Sequence, residues 1–125
     1  MPITVDLFTR VFVAGQIAID RQANLQVEAI DDVSLDVPDG AVDQRVDVQP
    51  GPATDIQFIA IHNTTGVGPV SYTSSVGGPV IPLVDVHLYS GPGMAALLGV
   101  NPTALYVTNA SGQPVTLRIV VGRSA

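Results

Sequence analysis

The residues of this chain that could carry chemistry are two histidines, eleven acids and a scatter of serines. His62 and His87 each stand near the end of an apolar, strand-like run. A cupin-type metal site would need a His-x-His pair, a Glu and a further His. Here Asn63 follows His62, and Glu28 is the only glutamate. Two His and one Asp would still suffice to ligate zinc. The preferred reading is two partly buried histidines hydrogen-bonded to backbone.

Seven of the eleven acids lie in one stretch: Glu28, Asp31, Asp32, Asp36, Asp39, Asp43 and Asp47. Calcium takes several hard oxygen ligands from one loop, but this spacing does not match an EF-hand loop. The acids alternate with Val33, Leu35, Val37, Val42, Val46 and Val48. That pattern predicts solvent-facing carboxylates on half-buried strands. Ser34, Ser71, Ser74, Ser75, Ser90, Ser111 and Ser124 include no Gly-x-Ser-x-Gly elbow. Gly91-Pro92-Gly93 lacks the lysine of a phosphate loop. There is no Trp to serve as a sugar platform beside paired carboxylates. The expectation is a protein that is not an enzyme and holds no cofactor or metal.

Composition narrows the class further. A chain of 125 residues is one domain by size and long enough for a real core. Cysteine is absent, so no disulfide framework forms. No stretch approaches the roughly 20 apolar residues of a spanning helix, and the N-terminus lacks the pattern of a signal peptide. Net charge is -6, lysine is absent, and Arg10, Arg21, Arg45, Arg118 and Arg123 are dispersed. Nucleic acid and anionic membrane surfaces are therefore poor partners. Charged residues make up 13% of the chain against 46% hydrophobic, and mean hydropathy is +0.40. So few charges cannot solvate a whole surface, which predicts that part of the outside is buried against other chains.

The elements that would position these residues are strands. Residues 3–13 alternate, with Val5, Leu7, Thr9, Val11 and Val13 on one side and Asp6, Phe8, Arg10 and Phe12 on the other. Gly15 reads as a bulge or bend, Gln16 to Asp20 as continuing strand, and Arg21 to Asn24 as a polar turn. Leu25 to Val37 alternates again, and Pro38-Asp39-Gly40 is a turn. Arg45 to Val48 reads as a short strand that Gln49-Pro50-Gly51-Pro52 stops, with a composition break over residues 49–54 inside one domain. Residues 64–82 read as a long loop, or a hairpin around Tyr72, whose prolines argue against a central strand. Gly93 to Val100 reads as barely two turns of helix or, equally, as a strand followed by a turn. Ile56 to Asn63, Val84 to Tyr89 and Leu105 to Val121 complete the strands, the last as a hairpin around Asn109 to Gln113. The fold class is all-β: a single antiparallel β-sandwich, jelly-roll-like, over residues 1–125.

Three pieces carry a resemblance: Ile56-Gln57-Phe58-Ile59-Ala60-Ile61-His62-Asn63-Thr64-Thr65-Gly66, then Leu88-Tyr89-Ser90-Gly91-Pro92-Gly93, then Leu105 to Val121 with its Thr108-Asn109-Ala110-Ser111-Gly112. Over roughly residues 55–122 the chain resembles small virion structural proteins of tailed phages. The resemblance implies a capsid decoration or cement protein that is assembled in the host cytoplasm and located in the virion. Its implied partner is the major capsid protein or another virion protein. It also implies self-association, with a trimer preferred. The alternative is a receptor- or glycan-binding module of a head or tail fibre.

Residues 1–13 are the candidate contact with such a partner. The preferred reading is an ordinary first strand of the sandwich. The other is an arm that adds to a neighbour's open sheet edge, with Val5, Leu7, Phe8 and Phe12 as interface residues and Phe8 or Phe12 as anchors.

Overall fold

The computed structural model describes residues 3–47, 55–98 and 104–124. Ten strands follow in order: β1 (Ile3–Val13), β2 (Gln16–Val27), β3 (Ala29–Val37), β4 (Gln44–Asp47), β5 (Ile56–Asn63), β6 (Val70–Thr73), β7 (Ile81–Pro82), β8 (Val86–Ser90), β9 (Ala104–Asn109) and β10 (Val115–Arg123). One short helix, α1 (Pro92–Ala95), runs into a 3-10 turn at Ala96–Leu98. Strands β3 to β10 form two antiparallel four-stranded sheets, ordered β3-β10-β5-β8 and β4-β9-β6-β7. Successive strands thus alternate between layers, except at the β6–β7 pair. This is the strand order of an eight-stranded jelly roll. Strands β1 and β2 join neither layer and form a separate two-stranded sheet.

Period-2 patterning fixes which side chains enter the core. On β10 the inward set is Val115, Leu117, Ile119 and Val121, each almost wholly buried. On β5, Ile59 and Ile61 sit beside them in register with Val121 and Ile119. The opposite layer supplies Val46, Val70, Tyr72, Leu105 and Val107. The other face of β3 and β10 is polar. Arg118 makes a two-bond ion pair with Asp32, at 3.0 and 2.6 Å, and the Thr116 hydroxyl donates to Asp36 at 2.9 Å. Near one end of that outer face Phe58 lies over Gly122, where a Cβ would come within 2.3 Å of the ring. A larger residue there would displace the ring.

Two buried asparagines hold the connections. Asn109 is 1% exposed. Its Nδ2 donates to the carbonyls of Val37, Pro38 and Gln113 at 3.1, 3.2 and 2.8 Å. Its Oδ1 accepts from the backbone and hydroxyl of Ser111 at 3.0 and 2.6 Å. One side chain thereby ties the end of β3 to the turn between β9 and β10. Asn63 does the same on a smaller scale: it donates to the Val67 carbonyl and accepts from Gly66 N–H.

The structure departs from the sequence reading at several points. Ala14 and Gly15 both have positive φ, 51° and 81°, and Val13 pairs with Gln16. This is the two-residue turn of a hairpin, not a bulge. Strand β2 passes straight through Arg21–Asn24, where a turn is expected from the polar cluster. Strand β6 is central, paired to both β9 and β7; the prolines flank it, and Pro82 lies on the edge strand β7, where a missing N–H is tolerated. Strands β9 and β10 lie in different layers, so residues 105–121 are a crossing between sheets and not a paired hairpin. The turn at Asp39–Gly40 and the strand around Arg45–Asp47 are where alternation puts them. The stop at Gln49–Pro52, the composition break and Gly99–Val100 lie outside the described residues.

Asn109→Ala should cost about 2–4 kcal/mol, because it strips three carbonyls of their donor, that of Val37 buried and those of Pro38 and Gln113 partly so. Urea denaturation followed by circular dichroism checks this. A loss below about 1 kcal/mol would mean water replaces the amide at no penalty.

Candidate assembly interface

The jelly roll brings few reactive groups together. His62 lies on the outer face of β5, with its Nε2 3.4 Å from Asp85 Oδ1. His87 Nδ1 is 2.7 Å from the Tyr72 hydroxyl, which is 2.5 Å from the Tyr89 hydroxyl. Both histidines therefore bond side chains, not backbone, and they occupy opposite faces of one sheet: Ile61 is the register partner of His87, and Val86 that of His62. The Tyr72 ring meets the His87 ring edge-on at 5.6 Å. Tyr72 comes from one layer and Tyr89 and His87 from the other, so this chain of hydrogen bonds crosses the sandwich. Burial, reinforced by the bond to Tyr89, pushes the Tyr72 hydroxyl far above the ordinary tyrosine range. It stays protonated and acts as structure.

The acids of residues 28–47 are spread along strands and turns. Among the described residues no three His, Asp or Glu side chains converge as metal ligands, and no pocket opens. No described helix is long and apolar enough to cross a membrane. The hydrogen bond from Arg118 holds the Asp32 carboxyl below the ordinary aspartate range. Ser111 is committed to the Asn109 turn.

What remains unsatisfied is the β1–β2 hairpin. Directly opposed residues in an antiparallel pair project to the same face. The pairs Ile3–Val27, Val5–Leu25, Leu7–Ala23, Thr9–Arg21 and Val11–Ile19 therefore make one face, apolar but for its fourth pair. The pairs Thr4–Gln26, Asp6–Asn24, Phe8–Gln22, Arg10–Asp20 and Phe12–Ile17 make the other. That second face is mixed: it bears Phe8, Phe12 and Ile17, each more than half exposed, among internally bonded polar groups. Gln26 donates to Thr4 at 3.1 Å, Arg10 contacts Asp20 through two atoms at 3.4 Å, and Gln22 donates to Asn24. Arg10 also stands 6.0 Å above the Phe12 ring. Of the proposed interface residues, Val5 and Leu7 lie on the apolar face, and Phe8 and Phe12 project from the opposite one. Phe8 is 72% exposed and Phe12 55%. Ala18 is skipped in the register, a bulge that sharpens the local twist.

The expectation that residues 3–13 form a strand of the sandwich itself does not hold. The chain leaves β3 through a bend at Glu28, whose N–H donates to the Arg123 carbonyl at 2.9 Å. It then builds an arm. Eleven residues per strand give a length of about 37 Å at ~3.4 Å per residue. Two strands are about 10 Å wide, so one face is ~400 Å². Val27 at its base is buried and Val5, Leu7, Ala23 and Leu25 are half-buried, while Ile3, Val11 and Ile19 are exposed, so the face is uncovered chiefly toward the tip. Exposed apolar surface of this kind marks an interaction surface. An isolated two-stranded hairpin is also marginal in water. Alternation makes β1 legible in the sequence. The missed signal is that the odd-numbered apolar positions run on from Val11 through Ile19 to Val27 once Ala14–Gly15 is read as a turn.

Comparison with protein-family models, with curated proteins and with solved structures finds no match to this chain.

Two outcomes follow from this geometry. Removing residues 1–24 should leave the jelly roll folded, with its melting temperature in dilute solution moved by less than about 5 °C, because the arm adds almost nothing to the core. Unfolding of the truncated chain would instead make the hairpin part of the core. Second, the Asp32 carboxyl is depressed in the folded state, so its ion pair stabilises above the ordinary aspartate pKa. That contribution is lost as pH falls through the lower folded value. Arg118→Gln should return Asp32 to the ordinary range in a ¹³C NMR titration.

Proposed function

We propose that this protein is a non-enzymatic structural component of a phage virion, a decoration or cement protein that stabilises the head through subunit contacts. The observation that carries the reading is the hairpin arm, which joins neither layer of the jelly roll and leaves Val11, Phe8, Phe12, Ile17 and Ile19 exposed. A cement protein acts through contact area and needs no reacting groups. Binding to folded shell subunits stabilises them by mass action, as RT ln(1 + [L]/Kd). Many copies on a symmetric lattice add avidity. The charge-poor, lysine-free composition and the resemblance over residues 55–122 support the same reading. Its partner is the major capsid protein or another virion protein, its location the virion, and its own association state cyclic, with a trimer preferred.

The test is the particle. Purified virions should contain the chain at a copy number that matches the shell lattice. Heads lacking it should rupture at lower temperature and regain stability when the purified protein is added. A low copy number confined to fibres, with binding to host cells or glycans, would favour a receptor-binding module instead. Absence from virions would overturn both.

A further inference from the structure

The two buried asparagines are one device used twice. Asn63 ends β5 and Asn109 ends β9, and each opens the same turn: Asn63-Thr64-Thr65-Gly66 and Asn109-Ala110-Ser111-Gly112. Gly66 and Gly112 both take positive φ, 73° and 88°. Each asparagine donates from Nδ2 to the carbonyl four residues on, Val67 at 3.0 Å and Gln113 at 2.8 Å. Each accepts at Oδ1 from a backbone N–H inside its own turn, that of Gly66 or of Ser111. The bonds to the rest of the chain match as well. Asn63 N–H donates to the Asp85 carbonyl just before β8, and Asn109 N–H to the Ala41 carbonyl ahead of β4, at 2.9 and 2.8 Å. Thr64 N–H donates to the Thr116 carbonyl and Ala110 N–H to the Pro69 carbonyl, both at 3.0 Å.

The layers repeat the match. Exchange β3 with β7, β4 with β8, β5 with β9 and β6 with β10, and the order β3-β10-β5-β8 becomes β7-β6-β9-β4, which is the other layer. A jelly roll permits that exchange of strands, but residue register need not follow it. Here it does. Asn63 opposes Leu117 as Asn109 opposes Val70. Arg118 opposes Ser34 as Ser71 opposes Pro82. Arg45 opposes Tyr106 as Leu88 opposes Ala60. The matched positions Ile61 and Val107, Val70 and Leu117, and Val46 and Tyr89 all lie in the core.

We infer that the jelly roll is one four-stranded unit present twice, as residues 29–73 and 81–123 related by a twofold axis through the core, so that either copy can come first in the chain. Each copy gives two strands to each layer, so neither covers its own apolar faces and the core closes only between the two. The arm is an addition to the first copy: residues 74–80, which stand ahead of β7 as the arm stands ahead of β3, are turns and loop. That link between the copies has its counterpart where the second copy ends beside the start of the first, with Arg123 in register with Ala29. The inference concerns the folded chain alone and does not rest on the virion reading.

Circular permutation of the full chain tests it. Ile3 pairs with Val27, and Glu28 N–H bonds to Arg123, so the two ends of the described chain lie close together. A glycine-serine linker of about eight residues, with a reach of roughly 15 Å, joins them. One permutant opens between Val76 and Gly77, which puts the second copy first. Two others open inside a copy, one between Thr65 and Gly66 and one between Ser111 and Gly112. Every cut lies in a turn or bend at the surface, so exposure alone favours none of them. The boundary permutant should give the parent's circular dichroism spectrum and, in urea, a folded-to-unfolded ratio within about tenfold of the parent's. Each internal cut should lower that ratio by at least about a hundredfold, because it severs an asparagine turn and the crossing between layers. A boundary permutant that does not fold overturns the inference. So does an internal permutant as stable as the boundary one, since the copies would then not be the units of the fold.

Discussion

A sheet with one apolar face has to be covered by a second layer, and this chain meets that rule in one half and leaves it open in the other. From Gln16 to Val37 the backbone is strand, interrupted only at Glu28. Its odd-numbered positions are largely apolar along the whole run. Over β3 those positions face a second layer, and Val37 is wholly buried. Over β2, among the described residues, cover ends near Val27, which is buried, and Ile19 toward the tip is more than half exposed. The contrast follows from the strand order. Eight strands, β3 to β10, make up the two layers, and β1 and β2 pair with each other.

Inside the sandwich, polar groups do what a larger core would otherwise do. Asn109 and the Tyr72–Tyr89–His87 chain each bridge elements that are distant in sequence; Asn109, Tyr72 and Tyr89 are buried and His87 is half-buried. Buried hydrogen bonds of this kind add little net energy when made and cost much when broken. They therefore select the arrangement of layers more than they deepen it. Asn109 joins the end of β3 to the β9–β10 crossing, where a jelly roll and a simple hairpin would diverge. The cross-layer bond from Tyr72 to Tyr89 does the same between β6 and β8.

The fold class was legible because alternation is a local property of strands. Val115 to Val121 and Ile59 to Ile61 display it without help from their neighbours. Sheet membership was not legible. The link from Asn109 to Val115 has the length and residues of a hairpin turn, and only tertiary packing sends β10 into the other layer. Arg21 to Asn24 misleads for a related reason. A strand wet on both faces has the polar density of a turn, and nothing in those four residues reports that β1 runs beside them. Strand β6 is hidden by its flanks, since its four residues contain no proline while those around them do. Of the candidate site, Val5, Leu7, Phe8 and Phe12 could be marked and sorted to two faces from sequence. Their pairing with residues 16–27, and hence the breadth of the apolar face, could not.

The Ala14–Gly15 turn makes the hairpin a ruler. Two residues close it, and register is counted from there. Adding one residue to either strand would turn every side chain beyond it to the wrong face unless a further bulge, like the one at Ala18, absorbed it. The arm can grow or shrink without losing its two-sided character only by two residues in each strand together. Its reach is thus set in steps of four residues, each worth about 7 Å at ~3.4 Å per residue. An arm with no further bulge would change length by those steps and by nothing between.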